Sequence, residues 1–321
     1  MYKVLVPEAL NPVAKKFLED RNYDLVIPQG TDPESLKKAI SEVDAVIART
    51  EKYTPDVIRA GKNLKIIARY GIGYDNIDLS TADEQGITVT LARNCNIYSV
   101  AEQTITLMLC CLKQVVPLYQ ALKEGNWKSR DVIPTYEARN KTIGILGIGA
   151  IGFEVAKIAH FGFQMKVLAY DNYADRKKYP EWITFVDRLE DFLPQADVAS
   201  IHVPLTKDTH HMLNRKTISC MKPTAVLLNA ARGPIWNESD LYVMLKEHRI
   251  AAAGTDVFET EPPSPDTPLF SLPNFIGCPH TAALSKEAIQ AVAMNCVHAI
   301  DDLLHGKQPL YIINHPQKLD D

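Results

Sequence analysis

Short apolar runs alternate with helical patterns in the first part of the chain. The apolar runs predict strands at residues 4–6, 25–27, 45–48, 64–68 and 87–90. Helical stretches fall between them, such as residues 32–41, where Pro33 occupies the first helical turn. Strands and helices that alternate in this way predict βαβ units and a parallel sheet.

A second alternating set begins at residue 142. Its apolar runs predict strands at residues 142–146, 166–170, 198–202, 225–229, 252–255 and 275–277. Between the two sets, residues 99–123 predict one long helix that stops near Gly125, and its apolar residues on more than one face predict burial. Residues 286–304 predict a last helix. If that helix packs against the first set, the first domain is discontinuous and two chain crossings form a hinge.

Composition and charge narrow the class of protein. Apolar residues make up 46% of the chain and charged residues 23%, which is ordinary for a globular protein. The net charge of −4 gives no support for a nucleic-acid or membrane-surface partner, because such partners call for a basic patch. The first apolar run is too short for a signal peptide and no run is long enough to span a bilayer, so we expect a cytoplasmic protein.

Six cysteines occur without a C-x-x-C pair, so free thiols are expected and no metal site is predicted.

The strongest local motif is a glycine pattern at Gly147, Gly149 and Gly152. A predicted strand runs directly into it and a helical pattern at residues 153–160 follows. In this context the first glycine permits a tight turn, the second lets the backbone approach a pyrophosphate, and the third allows close packing of helix on strand. The segment predicts a Rossmann dinucleotide site at the start of a helix.

An acidic residue lies where that motif requires one. Asp171 ends the next predicted strand, 171 − 152 = 19 positions after Gly152. A carboxylate there accepts hydrogen bonds from ribose hydroxyls and repels a 2′-phosphate, which favours NAD over NADP. Three nearby basic residues could soften this preference: Arg176, Lys177 and Lys178.

Three polar segments follow later strands of the second set, where ligands of open α/β sheets bind. They contain Arg232, Glu261 and His280. Reduction of a 2-oxo acid needs a proton donor, which His280 can be, and a cation for the carboxylate, for which the planar fork of Arg232 is suited. Glu261 would orient the histidine and favour its protonated form.

Other side chains compete for these roles. Glu259 is a rival to Glu261 in the same loop, and the spacing alone does not separate them. We expect His202, beside a strand end, and His210 and His211, in a turn, to be structural.

The residues quoted so far, together with three further segments, resemble the D-isomer-specific 2-hydroxyacid dehydrogenases. The additional segments are residues 69–78, 99–102 and 202–206, and the resemblance covers nearly the whole length. It implies that His280 is the acid/base, that Glu261 rather than Glu259 supports it, and that Arg232 binds and polarises the substrate. It also implies a D-hydroxy acid product, and a homodimer with the long helix at the contact.

The resemblance implies further site residues. The implied cofactor contacts are Gly147, Gly149, Ala150, Ile151, Gly152, Asp171, Val203, Pro204, Thr209, Ala230, Ala231 and Asp256. The implied substrate contacts are Arg49, Gly71, Ile72 and Gly73, with Arg49 at the far end of the substrate. We therefore predict an α/β protein of two doubly wound parallel-sheet domains. A Rossmann NAD domain, residues 99–286, is inserted into a flavodoxin-like substrate domain, residues 1–98 plus 287–321.

The substrate stays open at this point. We expect no C-terminal regulatory domain, and Thr281-Ala282-Ala283 replaces the glycine-rich run of phosphoglycerate enzymes. A phosphorylated substrate would need cationic contacts, for which Arg49 and Arg69 are candidates. The sequence around Arg232 makes a D-lactate enzyme less attractive. Alternatives are an NAD-sensing scaffold or corepressor of the same fold, and a relative that acts on formate or phosphite.

Overall fold

Two parallel β-sheets organise the chain in the computed structural model, which describes residues 1–6 and 10–316. The strands are β1 (Lys3–Leu5), β2 (Asp24–Val26), β3 (Ala45–Ala48), β4 (Ile66–Arg69), β5 (Thr88–Leu91), β6 (Thr142–Leu146), β7 (Lys166–Tyr170), β8 (Ile183–Phe185), β9 (Val198–Ile201), β10 (Val226–Asn229), β11 (Ala252–Thr255) and β12 (Phe275–Gly277). The helices are α1 (Pro12–Asp20), α2 (Pro33–Ile40), α3 (Pro55–Ala60), α4 (Leu79–Glu84), α5 (Ile97–Lys113), α6 (Val115–Lys123), α7 (Ala150–Lys157), α8 (Leu189–Phe192), α9 (Arg215–Ile218), α10 (Glu238–Lys246) and α11 (Lys286–Leu304).

The first sheet has five parallel strands in the order β2-β1-β3-β4-β5, which is the flavodoxin-like order. Apart from the half-buried edge strand β2, its strands are buried on both faces, with one apolar cluster under α1 and α11 and another under α2 and α3. Such burial explains why these strands read as unbroken apolar runs rather than alternating ones. Helix α11 packs Val292, Ala293 and Cys296 into the first of these clusters.

The second sheet has seven parallel strands in the order β12-β11-β10-β9-β6-β7-β8. Counted from β6, this is the Rossmann order extended by one strand, and the order reverses between β6 and β9. Apolar clusters again cover both faces, and α5 contributes Leu107, Met108 and Cys111 to one of them. The predicted fold class, two doubly wound parallel sheets, is therefore confirmed.

The chain divides into two compact units with the second inserted into the first. One unit runs from Met1 to Asn96 and resumes at Leu284, and the other is Ile97–Ala283. The predicted borders, at residues 98/99 and 286/287, lie two and three residues away. Helix α5 begins already at Ile97, which explains the first difference. Residues 7–9 and 317–321 of the predicted first domain lie outside the described residues.

The predicted single helix over residues 99–123 is wrong, because the structure has two helices there. Gln114 adopts a left-handed conformation, with φ 51°, and α5 and α6 are bent by 58° relative to each other. The Gln114 side chain donates to the Cys111 carbonyl at 2.8 Å and so satisfies an acceptor that the broken helix leaves open. Pro117 falls in the first turn of α6, where its missing N–H has no cost.

Smaller differences concern the region after the glycine motif. The helix predicted over residues 153–160 begins earlier, at Ala150, and ends in a π-helical turn over Ile158–Gly162. The short edge strand β8 escaped prediction because only three residues pair, and charged residues follow it closely. Among the described residues, no single helix is long and apolar enough to cross a membrane, and α5 and α6 meet that criterion only when taken together.

Candidate active site

The loops that follow the strands of the second sheet lie at its carboxyl edge. They carry Gly147–Gly149 after β6, Asp171 after β7, His202 after β9, Arg232 after β10, Glu261 after β11 and His280 after β12. The parallel order brings these sequence-distant residues to one edge, where open α/β sheets bind their ligands.

Two of the three glycines of the motif are required by their conformation or contacts in this structure, and the third leaves open space. Gly147 has φ +89°, and a Cβ there would lie 2.8 Å from the Val203 backbone nitrogen. A Cβ on Gly152 would lie 2.2 Å from the Gly147 carbonyl oxygen. At Gly149, by contrast, a Cβ would meet no atom of the described residues within 4 Å, so there is space beside this residue.

A dinucleotide fits this cradle. Helix α7 starts at Ala150, and no side chain among the described residues caps its N-terminus. Its first N–H groups, with the helix dipole behind them, are therefore available to an anion beside Gly149. Ala150 and Ile151, both predicted contacts, form this first turn.

Asp171 lies directly against the glycine turn. One carboxylate oxygen accepts the Ile148 N–H at 2.9 Å, and the other accepts the N–H groups of Tyr173 and Ala174 at 2.9 and 3.0 Å. The carboxylate is thereby fixed at the end of β7. Two of the three nearby basic residues are paired with acids of the same unit: Arg176 with Asp187, and Lys178 with Asp175 at 3.6 Å.

The structure brings His280 and Glu261 together. Nδ1 of His280 lies 2.8 Å from Oε2 of Glu261, and the other Glu261 oxygen accepts the Phe258 N–H at 3.1 Å. The hydrogen bond that His280 makes to Glu261 raises the pKa of His280, although burial opposes this shift. Burial opposes ionisation of Glu261, but the His280 and Phe258 hydrogen bonds outweigh it and lower the pKa of this carboxyl.

The His280 ring is presented by its backbone and by α5. His280 has φ +52°, and its N–H donates to the Asp256 carbonyl at 2.9 Å. Ser99 on α5 donates to the Ala282 carbonyl at 2.5 Å, which holds the loop beyond His280. Sequence reasoning missed this role of Ser99, which depends on a contact 183 residues away.

Asp256 holds the backbone of the same loop through hydrogen bonds. It is 1% exposed, and its two oxygens accept the N–H groups of Thr281 at 2.9 Å and Ala282 at 2.8 Å. Burial raises the pKa of Asp256, and these hydrogen bonds oppose that shift. Any contact of Asp256 with a cofactor would be made in addition to these two bonds, which hold the backbone after His280 in place.

Arg232 is presented by a turn that Asn229 organises. The fully buried Asn229 amide accepts the Ala231 N–H at 3.0 Å and donates to the Arg232 carbonyl at 2.9 Å. The guanidinium donates to the Ala231 carbonyl at 2.7 Å, and no described carboxylate of its own unit forms an ion pair with it. Ala230 and Ala231, predicted cofactor contacts, form the start of this turn.

Gly233 lets two of these loops touch. A Cβ on Gly233 would lie 1.9 Å from the Phe258 carbonyl carbon and 2.4 Å from the Glu259 nitrogen. The backbone that carries Arg232 therefore packs directly on the backbone that leads to Glu261. This need for glycine escaped sequence reasoning.

The rival carboxylate and the other histidines lie elsewhere. Glu259 faces the Glu238 N–H at 2.7 Å and the His211 ring at 3.2 Å, away from His280. Burial lowers the pKa of His202 to about 4, and its Nε2 lies 2.8 Å from the Ser200 hydroxyl. The rings of His210 and His211 pack against each other at a tilt, with centroids 4.0 Å apart.

Three predicted cofactor contacts follow β9. Val203 lies against Gly147, and Thr209 donates to the Pro204 carbonyl at 2.6 Å, which closes the loop on itself.

The predicted substrate contacts lie in the first unit, after β3 and β4. Gly71 has φ +138°, and Arg69 donates to the carbonyl oxygens of Gly73 and Tyr70. Arg69, which the sequence offers as a cation for a phosphorylated substrate, thus supports its own loop, which also contains Ile72. The guanidinium of Arg49 lies 5.5 Å from the centre of the Tyr70 ring.

Comparisons with known proteins agree with the dinucleotide cradle and with the fold. Residues 105–282 match the family model of the NAD binding domain of D-isomer specific 2-hydroxyacid dehydrogenases. The hydroxypyruvate reductase of Thermotoga maritima is 39% identical over 302 residues, which cover 93% of this chain and 97% of that protein. The D-3-phosphoglycerate dehydrogenase of Archaeoglobus fulgidus is 36% identical over 98% of this chain, but the chain spans only 59% of its length.

A solved structure of a Thermus thermophilus protein superimposes with a TM-score of 0.90 at 31% identity, covering 97% of this chain and 99% of the other. The similarity thus extends over both sheets. The chain belongs to the D-isomer specific 2-hydroxyacid dehydrogenase family.

Proposed function

We propose that the chain is an NAD-dependent oxidoreductase that interconverts a small 2-oxo acid and its D-2-hydroxy acid. The observation that carries the proposal is the 2.8 Å hydrogen bond between His280 and Glu261 at the edge that also holds the dinucleotide cradle. The His280 side chain is 47% exposed, and no described residue of its unit is hydrogen-bonded to its Nε2. A proton at Nε2 is therefore presented to whatever binds beside the ring.

In reduction, His280 donates this proton to the carbonyl oxygen of the 2-oxo acid. Bound NADH supplies a hydride to the carbonyl carbon. Glu261 keeps the ring oriented through Nδ1 and stabilises its protonated form before transfer. Arg232 binds the carboxylate through its planar fork and favours negative charge on the carbonyl oxygen. In oxidation, the neutral ring takes the hydroxyl proton.

We propose further substrate contacts from residues of the first unit and assign cofactor binding to the second unit. The Gly71 N–H already donates to the Arg69 carbonyl at 2.9 Å, so the proposed donors to a substrate carboxylate in this loop are the N–H groups of Ile72 and Gly73, which follow the positive φ of Gly71. Arg49 is proposed to meet the far end of the substrate. The Arg69 guanidinium donates to carbonyl oxygens of its own loop, so we propose Arg49 as the cation for that end.

The proposed cofactor is NAD rather than NADP. The proposal is supported by Asp171, whose carboxylate is held at the end of β7 and would repel a 2′-phosphate bound beside it, and by the ion pairs that Arg176 and Lys178 form with acids. Two of the three nearby positive charges thus have an acidic partner.

We also propose a homodimer. Helix α6 has no buried residue, yet it is apolar, with Val115, Val116, Tyr119 and Leu122 between 40% and 58% exposed. A second copy would cover this surface. Light scattering should report twice the mass of one chain, and a monomer at micromolar concentration would contradict the assignment.

The function is tested by NADH oxidation with a panel of 2-oxo acids: hydroxypyruvate, glyoxylate, pyruvate, branched 2-oxo acids and phosphohydroxypyruvate. Turnover of at least one is expected, with the unphosphorylated acids preferred. Binding of NADH without turnover of any acid would contradict the proposal and would favour an NAD-binding scaffold instead.

A further inference from the structure

Glu259 has no part in the proposed chemistry, yet it makes three polar contacts. Its Oε1 accepts the Glu238 N–H at 2.7 Å, at the first residue of α10, and lies 3.2 Å from Nε2 of His211. In return, the Glu259 N–H donates to Oε1 of Glu238 at 2.8 Å. The two glutamates thus cap each other's backbone, and His211 supplies a donor to the shared carboxylate.

This arrangement holds the carboxylates of Glu238 and Glu259 close together. Like charges repel each other, so the hydrogen bonds of these side chains have to offset the repulsion. Burial raises the pKa of Glu238, and the nearby carboxylates of Glu259 and Glu261 add to the shift. The Glu259 side chain is 31% exposed, so its contacts are only partly screened by water.

The contacts of Glu259 fix the segment that orients Glu261. Phe258, the residue before Glu259, donates its N–H to Oε1 of Glu261 at 3.1 Å, and Oε2 of Glu261 meets His280. Displacement of the segment would therefore move the donor that sets the Glu261 carboxylate, and with it the partner of the His280 ring.

His211 joins this segment to the loop that carries Arg232. Its N–H donates to the Pro234 carbonyl at 2.8 Å, while its ring contacts Glu259. His211 has φ +50°, and Asn214 holds its carbonyl with a bond of 2.9 Å. One residue thus contacts the loop after β10 through its backbone and the loop after β11 through its side chain.

We propose that Glu259, held by Glu238 and His211, is a positioning residue that sets the Glu261–His280 pair against Arg232. The expected change in kcat rests on the proposed function. The expected change in the pKa of His280 does not, because it depends only on the position of Glu261. Glu259 acts through Phe258 and Glu261, and touches neither substrate nor cofactor.

The experiment compares Glu259→Ala with Glu259→Gln. Both remove the charge, but the glutamine carbonyl can still accept from Glu238 and His211. Glu247→Ala is the matched control, because it removes an exposed carboxylate at the end of α10 in the same unit. The readouts are kcat, the KM for NADH, the pH profile of reduction, and the His280 titration followed by NMR, assigned with His280→Asn.

In Glu259→Ala we expect kcat to fall by on the order of 10²-fold, as small displacements of catalytic groups do, with little change in the KM for NADH. The pKa of His280 should move down toward its ordinary value of 6.5. Glu259→Gln and Glu247→Ala should stay close to wild type. His211→Asn should also lower kcat, and asparagine tolerates the left-handed backbone at this position. This variant keeps the proposal testable if Glu259→Ala does not fold.

Equal effects of Glu259→Ala and Glu259→Gln on the His280 titration would overturn the proposal, because charge rather than position would then be the cause. A wild-type titration and kcat in Glu259→Ala would overturn it as well. The titration needs no substrate, so it reports on the positioning role even if no 2-oxo acid is turned over, which would reject the proposed function separately.

Discussion

Gly233→Ala should separate the two loops that carry the proposed cation and the proposed acid. The added Cβ would lie 1.9 Å from the Phe258 carbonyl carbon and 2.0 Å from its oxygen. Ordinary contact begins at 3.4 Å, so the backbones must move apart by about 1.5 Å. The Phe258 N–H bond to Glu261, now 3.1 Å, would then be lost or re-aimed.

The expected size of the effect follows from that displacement. A shift of about 1 Å in a catalytic group can cost on the order of 10²-fold in rate. Overpacking of a tight site typically destabilises a protein by about 1–3 kcal/mol. We therefore expect kcat/KM for the 2-oxo acid to fall about a hundredfold and the melting temperature to drop, while the Kd for NADH changes little because the glycine turn is untouched.

The assay is steady-state NADH oxidation, with NADH affinity measured by fluorescence and stability by thermal unfolding. Gly162→Ala is the matched control, since a Cβ there meets nothing within 4 Å. Wild-type kcat/KM and stability in Gly233→Ala would refute the reasoning, because it would mean that the two backbones are not in direct contact.

Three further predictions concern the same edge of the sheet. Since the hydrogen bond to Glu261 raises the pKa of His280, the rate of reduction should fall as pH rises through that pKa and the rate of oxidation should rise. Glu261→Gln should move both profiles to lower pH, and unshifted profiles would argue against the pairing. Arg232→Lys should raise the KM for the 2-oxo acid and lower kcat, because a point charge cannot replace the fork, whereas exposed Arg249→Lys should change neither. Asp171→Ser keeps an acceptor for the backbone but removes the charge, so the preference for NADH over NADPH should weaken; an unaltered ratio of kcat/KM values would reject the role of Asp171.

Much of the fold could be predicted from the sequence because the parallel strands are buried on both faces. Unbroken apolar runs such as β3, β6 and β11 therefore stand out, and their predicted bounds agree with the structure. The break at Gln114 could not be predicted in the same way. No glycine marks it, and the only local signal is Pro117, which is compatible with the first turn of a new helix.

The choice between Glu259 and Glu261 shows what the spacing of residues in the sequence could not predict. The two residues lie in one loop, two positions apart. They have different partners, but these partners come close only in the folded structure. Glu259 meets the N-terminus of α10 and Glu261 meets His280, contacts that join segments 21 and 19 residues away. The supporting roles of Asn229, Asp256 and Ser99 likewise depend on tertiary contacts that no local pattern contains.

The most direct test of the central claim is turnover of the best 2-oxo acid by wild type and by His280→Asn. Asparagine tolerates the φ of +52° at this position but cannot donate a proton as an acid. The account predicts turnover by the wild type, a loss of about 10² to 10⁴ in kcat for the variant, and unchanged NADH affinity. Wild-type turnover in His280→Asn, or no turnover of any 2-oxo acid by the native chain, would contradict it.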